Sequence, residues 1–396
     1  MRLSLFLVCL TLIGAGARRA APQPSPAAPV RAAVGIIDDH YLYAKSNPAW
    51  NQARRALRQG RYATAAEAYQ AIARQLASLN DSELHLFAPD QYRRVQELLD
   101  AKRVGTGLVD FGIDRDPATG DARVVTALGD SPAARAGIAP RDLIVSIDRQ
   151  PTRAMTHEQV IDALVGASRA TLRLAVRRDS HTRVVALAPS PAGFNPVQFA
   201  RREFRGKTVG YIRVLLFTAD AGQRVQEAVS ELERQGVTGY VLDLRNNPGG
   251  LVDSARAAAS AFASGVLGRE VSDHGPAKTF QTTGVPLTGK PLAILIDGGT
   301  ASAAEFLAGA LHDLHRAVLV GSPSYGRGQA QTYYPLSDGY GILVPTAQLQ
   351  TSTGRTFIPG GIRPDVEVPG DWVPSAEIAT THDAQFARAI AVLLAP

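Results

Sequence analysis

The feature that most constrains this fold is a series of short apolar strands that alternate with helices in the second half of the chain. Strands are predicted where short apolar runs lie between turn residues, at 208–214, 239–244, 291–296 and 317–320. Helices are predicted where apolar residues recur at helical spacing, at 219–235, 254–262 and 303–314. Strands that alternate with helices favour an α/β layered fold.

A turn rich in glycine follows the second of these strands. The chain reads NNPGG at 246–250, directly after the strand predicted at 239–244. Paired glycines allow unusual backbone angles and the close approach of a ligand, and their amides can hold a developing oxyanion. The alternative interpretation is a plain tight turn without a catalytic role.

Ser302 lies among small residues where the strand at 291–296 gives way to the helix at 303–314. The first amides of a helix are unpaired and carry partial positive charge, so a serine at this point is a candidate nucleophile. Such a serine needs a base that takes its proton. The alternative is that Ser302 only caps the helix.

The first half of the chain has a different pattern of apolar residues. Apolar residues recur at helical spacing within 32–101, which predicts a helical N-terminal region. Short strands are predicted after it, at 124–125, 143–147 and 171–176. The sequence therefore indicates at least one separate unit before the α/β region.

The segment with short strands resembles a PDZ domain. It contains GTGL at 105–108 and GDSPAARAGI at 129–138. A PDZ domain binds the C-terminus of a peptide as an added strand and holds the carboxylate with backbone amides. The resemblance places that carboxylate at Gly105, Thr106, Gly107 and Leu108, whereas a small β-barrel without this role is the alternative.

The order of PDZ segment, glycine turn and serine turn resembles that of the C-terminal processing peptidases, also called tail-specific proteases. GSPSYGRGQAQ at 321–331 and STGRTFIPGGIRPDVEV at 352–368 extend the resemblance over nearly all of the chain after its N-terminal segment. It implies an α/β peptidase domain of the ClpP/crotonase type at 191–396, with an inserted PDZ domain at 102–190 and a helical domain at 32–101.

The resemblance also implies a role for individual residues. Ser302 matches the nucleophile, and Gln331 matches the glutamine that orients the base. Asp313 matches a supporting acidic residue on the helix behind the nucleophile. The oxyanion hole corresponds to the amides of Ala303 and of Gly249 or Gly250.

Arg327 departs from the family pattern, because the general base of the family is a lysine in a Gly-Lys-Gly turn and this chain has Gly326-Arg327-Gly328. A buried lysine can lose its charge, since burial lowers its pKa by up to ~3–5 units. A guanidinium stays protonated, with a pKa above ~12. Arg327 is therefore predicted to bind a carboxylate or an oxyanion rather than to accept a proton.

Few other residues qualify as a replacement base. The lysines of the chain, none of which lies in a matching turn, are Lys45, Lys102, Lys207, Lys278 and Lys290. His312 lies about 15 Å along the helix from Ser302, which is too far for proton transfer. His85 leaves a serine–histidine arrangement open, although Glu83 stands where some relatives have a catalytic histidine.

Two functional hypotheses follow. The first is an extracytoplasmic serine endopeptidase whose PDZ domain captures unfolded or tagged protein C-termini while Ser302 attacks a peptide bond. The second is a catalytically impaired pseudopeptidase, an adaptor or chaperone that only binds C-termini because Arg327 replaces the lysine. The sequence leaves open the natural substrate, the oligomeric state and whether the PDZ domain gates the cleft.

The N-terminus predicts export. Residues 1–17 combine one arginine, an apolar run and the small residues Ala15-Gly16-Ala17, which is typical of a secretory signal peptide, and a Pro/Ala-rich linker follows at 18–31. The alternative is a membrane anchor, but the run is shorter than the ~20 residues that span a bilayer. The only cysteine, Cys9, lies in this run, so the mature chain has no thiol. We expect a periplasmic, envelope-associated or secreted protein without stable membrane insertion.

Charge and composition exclude some ligand classes. The net charge is +6, but the basic residues are scattered and no basic block carries interleaved aromatic residues, so nucleic-acid binding is not predicted. No His/Asp/Glu cluster has metal-ligand spacing, and the glycine turns lack the lysine of a phosphate-binding loop. We therefore predict neither a metal nor an organic cofactor.

Overall fold

A computed structural model describes residues 25–79, 81, 83–102, 106–108, 113–129, 131–166, 171–190, 192–204, 206–370, 373 and 377–394. The predicted signal peptide, residues 18–24 of the predicted linker and Gly105 lie outside the described residues. The predicted linker extends too far, because residues 28–31 form the first turn of a helix that has Pro29 near its start. None of the described helices is long and apolar enough to cross a membrane.

The N-terminal part consists of helices and one short strand, namely α1 (Ala28–His40), α2 (Pro48–Gln59), α3 (Ala65–Ala77), β1 (His85–Phe87) and α4 (Pro89–Leu99). Trp50, Ala53 and Leu57 share one face of α2 and are buried, as their spacing predicts. Asn47 caps α2 by accepting a hydrogen bond from the Ala49 amide at 3.0 Å.

The middle part is a small antiparallel sheet with two helices. Its elements are β2 (Ile113–Arg115), β3 (Ala122–Val124), α5 (Pro132–Arg135), β4 (Leu143–Ile147), β5 (Gln150–Pro151), α6 (His157–Gly166), β6 (Leu172–Arg178) and β7 (His181–Leu187). The strands are ordered β2-β3-β4-β6-β7, and β5 pairs only with β4. Within the described residues, β2 pairs on one side only, so its other edge lies open.

The C-terminal part begins with a mainly parallel sheet and its helices. The elements of this stretch are β8 (Val197–Phe204), β9 (Lys207–Val214), α7 (Ala221–Arg234), β10 (Tyr240–Asp243) and α8 (Val252–Ala259), followed by β11 (Val266–Val271), β12 (Lys278–Gln281), β13 (Leu292–Ile296), α9 (Ala303–Asp313) and β14 (Val318–Gly321). Of these, β11 and β12 belong to a second sheet. The elements predicted between 208 and 320 are confirmed apart from small differences at their ends. Every residue of β10 and β13 is buried, which explains their uninterrupted apolar sequences.

The chain ends with β15 (Gln329–Pro335), β16 (Gly341–Thr351), β17 (Val366–Glu367) and α10 (Ala384–Leu393). The parallel sheet has the order β17-β14-β13-β10-β9-β8, in which only β8 is antiparallel to its neighbour. A second sheet has the order β1-β16-β11-β12, with β15 paired to β16. Because β1 pairs with β16, this sheet joins the N-terminal helices to the C-terminal part.

Candidate active site

The site is assembled from three turns that follow adjacent parallel strands. β10, β13 and β14 are neighbours, and the turns after them carry the glycine pair, Ser302 and Arg327. The Ala301 amide donates to the Asn247 carbonyl at 2.9 Å, and the Tyr325 amide donates to the Thr300 carbonyl at 2.9 Å. Since the carboxyl ends of parallel strands meet at one edge of a sheet, the fold brings these distant segments together.

Ser302 occupies the position before the first residue of α9, but its backbone is not that of a capping serine. Its φ is 53° and its ψ is −120°, whereas capping residues are normally extended. Non-glycine residues hold such angles only where the surrounding structure fixes them, and they concentrate at functional sites. A serine nucleophile on a sharp strand-to-helix turn is strained in the same way. The geometry therefore favours the nucleophile over the cap.

The glycine turn packs directly against Ser302. Gly249 and Gly250 have φ values of 107° and 110°, which side chains with a Cβ rarely adopt. A Cβ on Gly249 would lie 2.9 Å from both the Ser302 Cβ and the Ala303 nitrogen. The Gly249 amide donates to the Asn247 side-chain oxygen at 2.9 Å. Among the described residues nothing accepts a hydrogen bond from the Gly250 amide, so Gly250 is the glycine whose amide can serve an oxyanion in this conformation.

Glu305 links the serine turn to the arginine turn, and the sequence reasoning did not identify it. One carboxylate oxygen accepts from the amides of Ser302 and Arg327, both at 2.9 Å. The other accepts from the Gly326 amide at 2.7 Å and from the Ser324 hydroxyl at 2.5 Å. Burial raises the pKa of Glu305, although these four donors oppose the shift. The signal for this residue was present, because Ser302-x-x-Glu305 is the spacing of a capping box.

Arg327 is buried and paired. Its Nε lies 3.1 Å from the Glu83 Oε1, and the Gln331 side-chain amide donates to the other oxygen of the same carboxylate. Gln331, predicted to orient the base, therefore contacts Glu83, which in turn contacts Arg327. Glu83 comes from the segment before β1, so the N-terminal part completes this site.

Tyr325 connects Arg327 to the small antiparallel sheet. The Arg327 guanidinium carbon lies 5.3 Å from the centroid of the Tyr325 ring, and the Tyr325 hydroxyl donates to Asp114 on β2. Burial raises the pKa of Tyr325 to about 12, and Asp114 adds to the shift while Arg327 opposes it. Burial alone would raise the pKa of Asp114, but the Tyr325 hydroxyl and neighbouring cations lower it. The tyrosine thus stays neutral and the aspartate stays ionised near neutral pH.

A cleft of about 550 Å³ opens beside Ser302. Its walls combine side chains of α4 with the three turns and with β15; among them are Tyr92, Val95, Leu99, Gly250, Leu251, Ser302, Arg327, Ala330 and Gln331. This volume falls within the ~300–1,000 Å³ of ordinary ligand clefts. The cleft can accept a stretch of polypeptide with apolar side chains.

One lysine lies on the wall of this cleft. Lys278 contacts Asp253 at 3.7 Å, and its Nζ lies 4.7 Å from the centroid of the Phe280 ring. The Lys278 side chain is 57% exposed. It is therefore an exposed lysine paired with a carboxylate, unlike a lysine buried in the turn at 326–328.

Two predicted residues lie away from the site. Asp313 ends α9, about 16 Å along the helix from Ser302 at ~1.5 Å per residue, and it binds Thr353 and Arg355 instead. The supporting role that the resemblance implies for Asp313 stays a prediction, and Glu305 is the acidic residue of α9 that contacts the serine turn. His85 lines a different cavity, so the serine–histidine alternative finds no support.

The loop expected to hold a peptide carboxylate is present in part. The Thr106 hydroxyl donates to the Leu164 carbonyl at 3.2 Å, near the end of α6. The Leu108 amide donates to the Thr106 hydroxyl oxygen at 3.2 Å, and the Leu128 amide donates to the Gly107 carbonyl at 2.9 Å. The loop is thus anchored to α6 and to the segment between β3 and α5.

Comparison with known proteins agrees with this arrangement. Residues 208–368 match the model of peptidase family S41, and residues 124–178 match a PDZ domain. The carboxyl-terminal-processing protease of Picosynechococcus is 34% identical over 83% of this chain and 79% of its own length. The chain belongs to this family of serine peptidases. Its PDZ domain, predicted from the sequence, is confirmed.

Other relatives give the same result for this peptidase. Carboxyl-terminal-processing peptidase 2, chloroplastic, of Arabidopsis thaliana is 32% identical over 84% of this chain and 67% of its own length. The solved structure of a photosystem II D1 C-terminal processing protease superposes with a TM-score of 0.75 at 29% identity. That superposition covers 92% of the peptidase and 97% of the solved chain.

Proposed function

We propose that this peptidase is an exported endopeptidase that cuts polypeptides near their C-termini, with Ser302 as nucleophile. The observation that carries the proposal is the backbone of Ser302, at φ 53° and ψ −120°, beside the glycine turn and at the edge of the cleft. A strained serine with backbone donors around it suits attack on a carbonyl carbon better than helix capping.

The proposed reaction is acyl transfer. The Ser302 hydroxyl oxygen bonds to the carbonyl carbon of the substrate as its proton passes to a water molecule in the cleft, and the amides of Ala303 and Gly250 hold the oxyanion that forms. The carbon–nitrogen bond then breaks as the leaving amine takes that proton back from water, and a second water hydrolyses the acyl group from Ser302, which regains its hydroxyl proton. Glu305 keeps the serine turn and the arginine turn in register during these steps.

Removal of the Ser302 proton is the step for which this site is least well equipped. Arg327 stays protonated and is held by Glu83, so it serves as a cation that attracts the substrate carbonyl or a carboxylate. A general base contributes ~10²–10⁴-fold to such reactions. We therefore propose slow cleavage compared with relatives that carry the lysine.

A second candidate function rests on the same pair. The contact of Arg327 with Glu83 and the absence of a lysine in its turn favour a pseudopeptidase that holds polypeptide C-termini without cutting them. In that case the PDZ domain and the cleft together form an adaptor or a chaperone surface.

The domain boundaries of the chain and the export of the protein are part of the same proposal. We infer a ClpP/crotonase-like peptidase domain from 191, a PDZ domain at 102–190 and a helical domain at 32–101, which agrees with the strands and helices observed. Export rests on the signal-peptide pattern of residues 1–17, which lie outside the described residues.

The test uses the purified full chain and an unfolded protein with an apolar C-terminus. Native protein and the Ser302→Ala variant are incubated with this substrate and with a C-terminally amidated copy. Cleavage by native protein alone, and only of the free carboxylate form, supports the endopeptidase. Binding of the free form without any cleavage supports the adaptor instead, and equal cleavage by Ser302→Ala refutes the role of Ser302.

A further inference from the structure

A second cavity, distinct from the catalytic cleft, lies between the N-terminal helices and the PDZ domain. Its volume is about 620 Å³. Its apolar lining residues include Leu76, Leu84, Leu86 and Met155, and its polar lining residues include Asp81 and Arg153. A cavity of this size, apolar with a few polar groups, is typical of a ligand site.

The cavity lies beside the end of β2 and the start of α6, and the space between these two elements is taken as the peptide groove of the PDZ domain. Asp114 and Arg115, at the end of β2, line it together with Thr156, directly before α6. The Arg115 guanidinium donates to the carbonyls of Gly120 at 2.8 Å and Thr152 at 2.7 Å, which fixes this end of the groove. The opposite end is the Thr106 loop, which bonds to the Leu164 carbonyl.

The groove gives a bound peptide one direction. A C-terminus held at the Thr106 loop and paired antiparallel to the open edge of β2 has its upstream residues pointing toward Arg115. α6 spans His157–Gly166, or about 15 Å at ~1.5 Å per residue. An extended peptide covers that length with about five residues at ~3.3 Å each. The residues before those five reach the second cavity.

The second cavity and the catalytic cleft share a wall. Asp114 on the cavity side accepts a hydrogen bond from Tyr325, which contacts Arg327 on the cleft side. Leu84 and His85 line the cavity, while their neighbour Glu83 binds Arg327. The cavity and the cleft therefore lie on opposite sides of one layer of side chains, with Ser302 on the cleft side.

We infer that this cavity is a substrate subsite that holds the extended segment directly upstream of the captured C-terminus and guides it toward Ser302. The inference rests on the proposed capture of C-termini by the PDZ domain. It also explains why cleavage would fall at a distance from the tail, since about five residues lie in the groove and several more in the cavity.

The first experiment maps the path by photo-crosslinking to the full chain carrying Ser302→Ala. The probes are synthetic peptides of about twelve residues with an apolar C-terminus and a benzophenone side chain at the second or about the seventh position from the end. We expect the second-position probe to label the Thr106 loop or α6, and the seventh-position probe to label 73–86 or 153–156. Labelling elsewhere by the seventh-position probe overturns the subsite alone, whereas no labelling by either probe refutes tail capture as well.

The second experiment fills the cavity. Ala77 lines the cavity near the end of α3, and Ala66 is an exposed alanine of the same helix outside the cavity. In the Ser302→Ala background, Ala77→Trp should weaken binding of the long peptide about tenfold, or ~1.4 kcal/mol, and leave binding of a peptide of about five residues unchanged. Ala66→Trp should change neither. Equal affinity of the long peptide for both variants contradicts the inference.

Discussion

The Nε of Arg327 lies 3.1 Å from the Glu83 carboxylate, and these two residues come from the C-terminal and the N-terminal part of the chain. The pair is largely buried, with side-chain exposures of 8% for Arg327 and 18% for Glu83. An opposite charge at this distance favours the charged form of either group. Glu83 would therefore keep even a lysine at position 327 protonated, so the charge at this position depends on the pair and not on residue 327 alone.

The first prediction is that a base can be restored only by changing both partners. Arg327→Lys with Glu83→Gln should raise Ser302-dependent cleavage by about 10²-fold or more over native protein, because a buried lysine without an anionic neighbour can lose its proton. Initial rates on a peptide with an apolar free C-terminus measure this effect.

Single variants provide the controls for that prediction. Arg327→Lys alone should gain little, because Glu83 stabilises the ammonium. Glu83→Gln alone should destabilise the protein by about 1–3 kcal/mol, since it removes the charged acceptor that the buried Arg327 Nε contacts. A single Arg327→Lys variant as active as the double variant would show that Glu83 does not control the protonation of residue 327.

The second prediction concerns Glu305. In Glu305→Gln an amide group replaces one carboxylate oxygen, so two of its four donors face another donor. The free energy of unfolding should fall by about 1–3 kcal/mol, and labelling of Ser302 by a serine-reactive fluorophosphonate should slow by about 10²-fold as the two turns separate. Ser324→Ala removes only one donor and should slow labelling much less. Equal labelling rates for native protein and Glu305→Gln would contradict the positioning role.

The central strands and the turns after them could be predicted from the sequence because their signals are local. β10 and β13 are continuous apolar runs, and NNPGG and Ser302 stand directly after them. The second sheet was not predicted, because β16 depends on partners as distant as β1, where His85 pairs with Leu343. No local pattern specifies such a register.

The residues of the site also divide into those that local sequence predicts and those that depend on contacts between distant segments. The candidate nucleophile follows from its place at a strand-to-helix turn, whereas the contact between Glu83 and Arg327 depends on how the N-terminal part docks on the second sheet. Asp313 lies about 16 Å along α9 from Ser302, so the supporting role that the resemblance implies would act through the helix rather than by contact. Residue order along an element does not give distance to a site.

The third prediction concerns the buried network that holds α10. Arg245 contacts Asp243 at 2.6 Å and Asp383 at 2.7 Å, and Asp383 also caps α10 through the Phe386 amide. Asp383→Asn should lower the free energy of unfolding by about 3–5 kcal/mol, because it weakens a buried charge pair. Asp90→Asn breaks the exposed contact with Arg93 and should change it by less than about 1 kcal/mol. Urea denaturation measures both, and similar losses for the two variants would refute the distinction.

The last prediction is a pH dependence that arises from Asp313. Burial alone would raise the pKa of Asp313, but hydrogen bonds from Thr351 and Thr353 and the nearby Arg355 lower it overall. A depressed pKa in the folded state stabilises the protein above the unfolded pKa of about 3.9, and this contribution is lost as pH falls through the lower folded pKa.

Asp313→Asn should therefore be less stable than native protein at pH 7, by about 1.5–3 kcal/mol for hydrogen bonds to a charged group, and the difference should shrink as pH falls below about 4. Asp39→Asn, at an exposed position, should change the free energy of unfolding at pH 7 by less than about 0.5 kcal/mol in the same urea titrations. A difference between native protein and Asp313→Asn that stays constant from pH 7 to the acid limit would mean that the charge of Asp313 does not stabilise the fold.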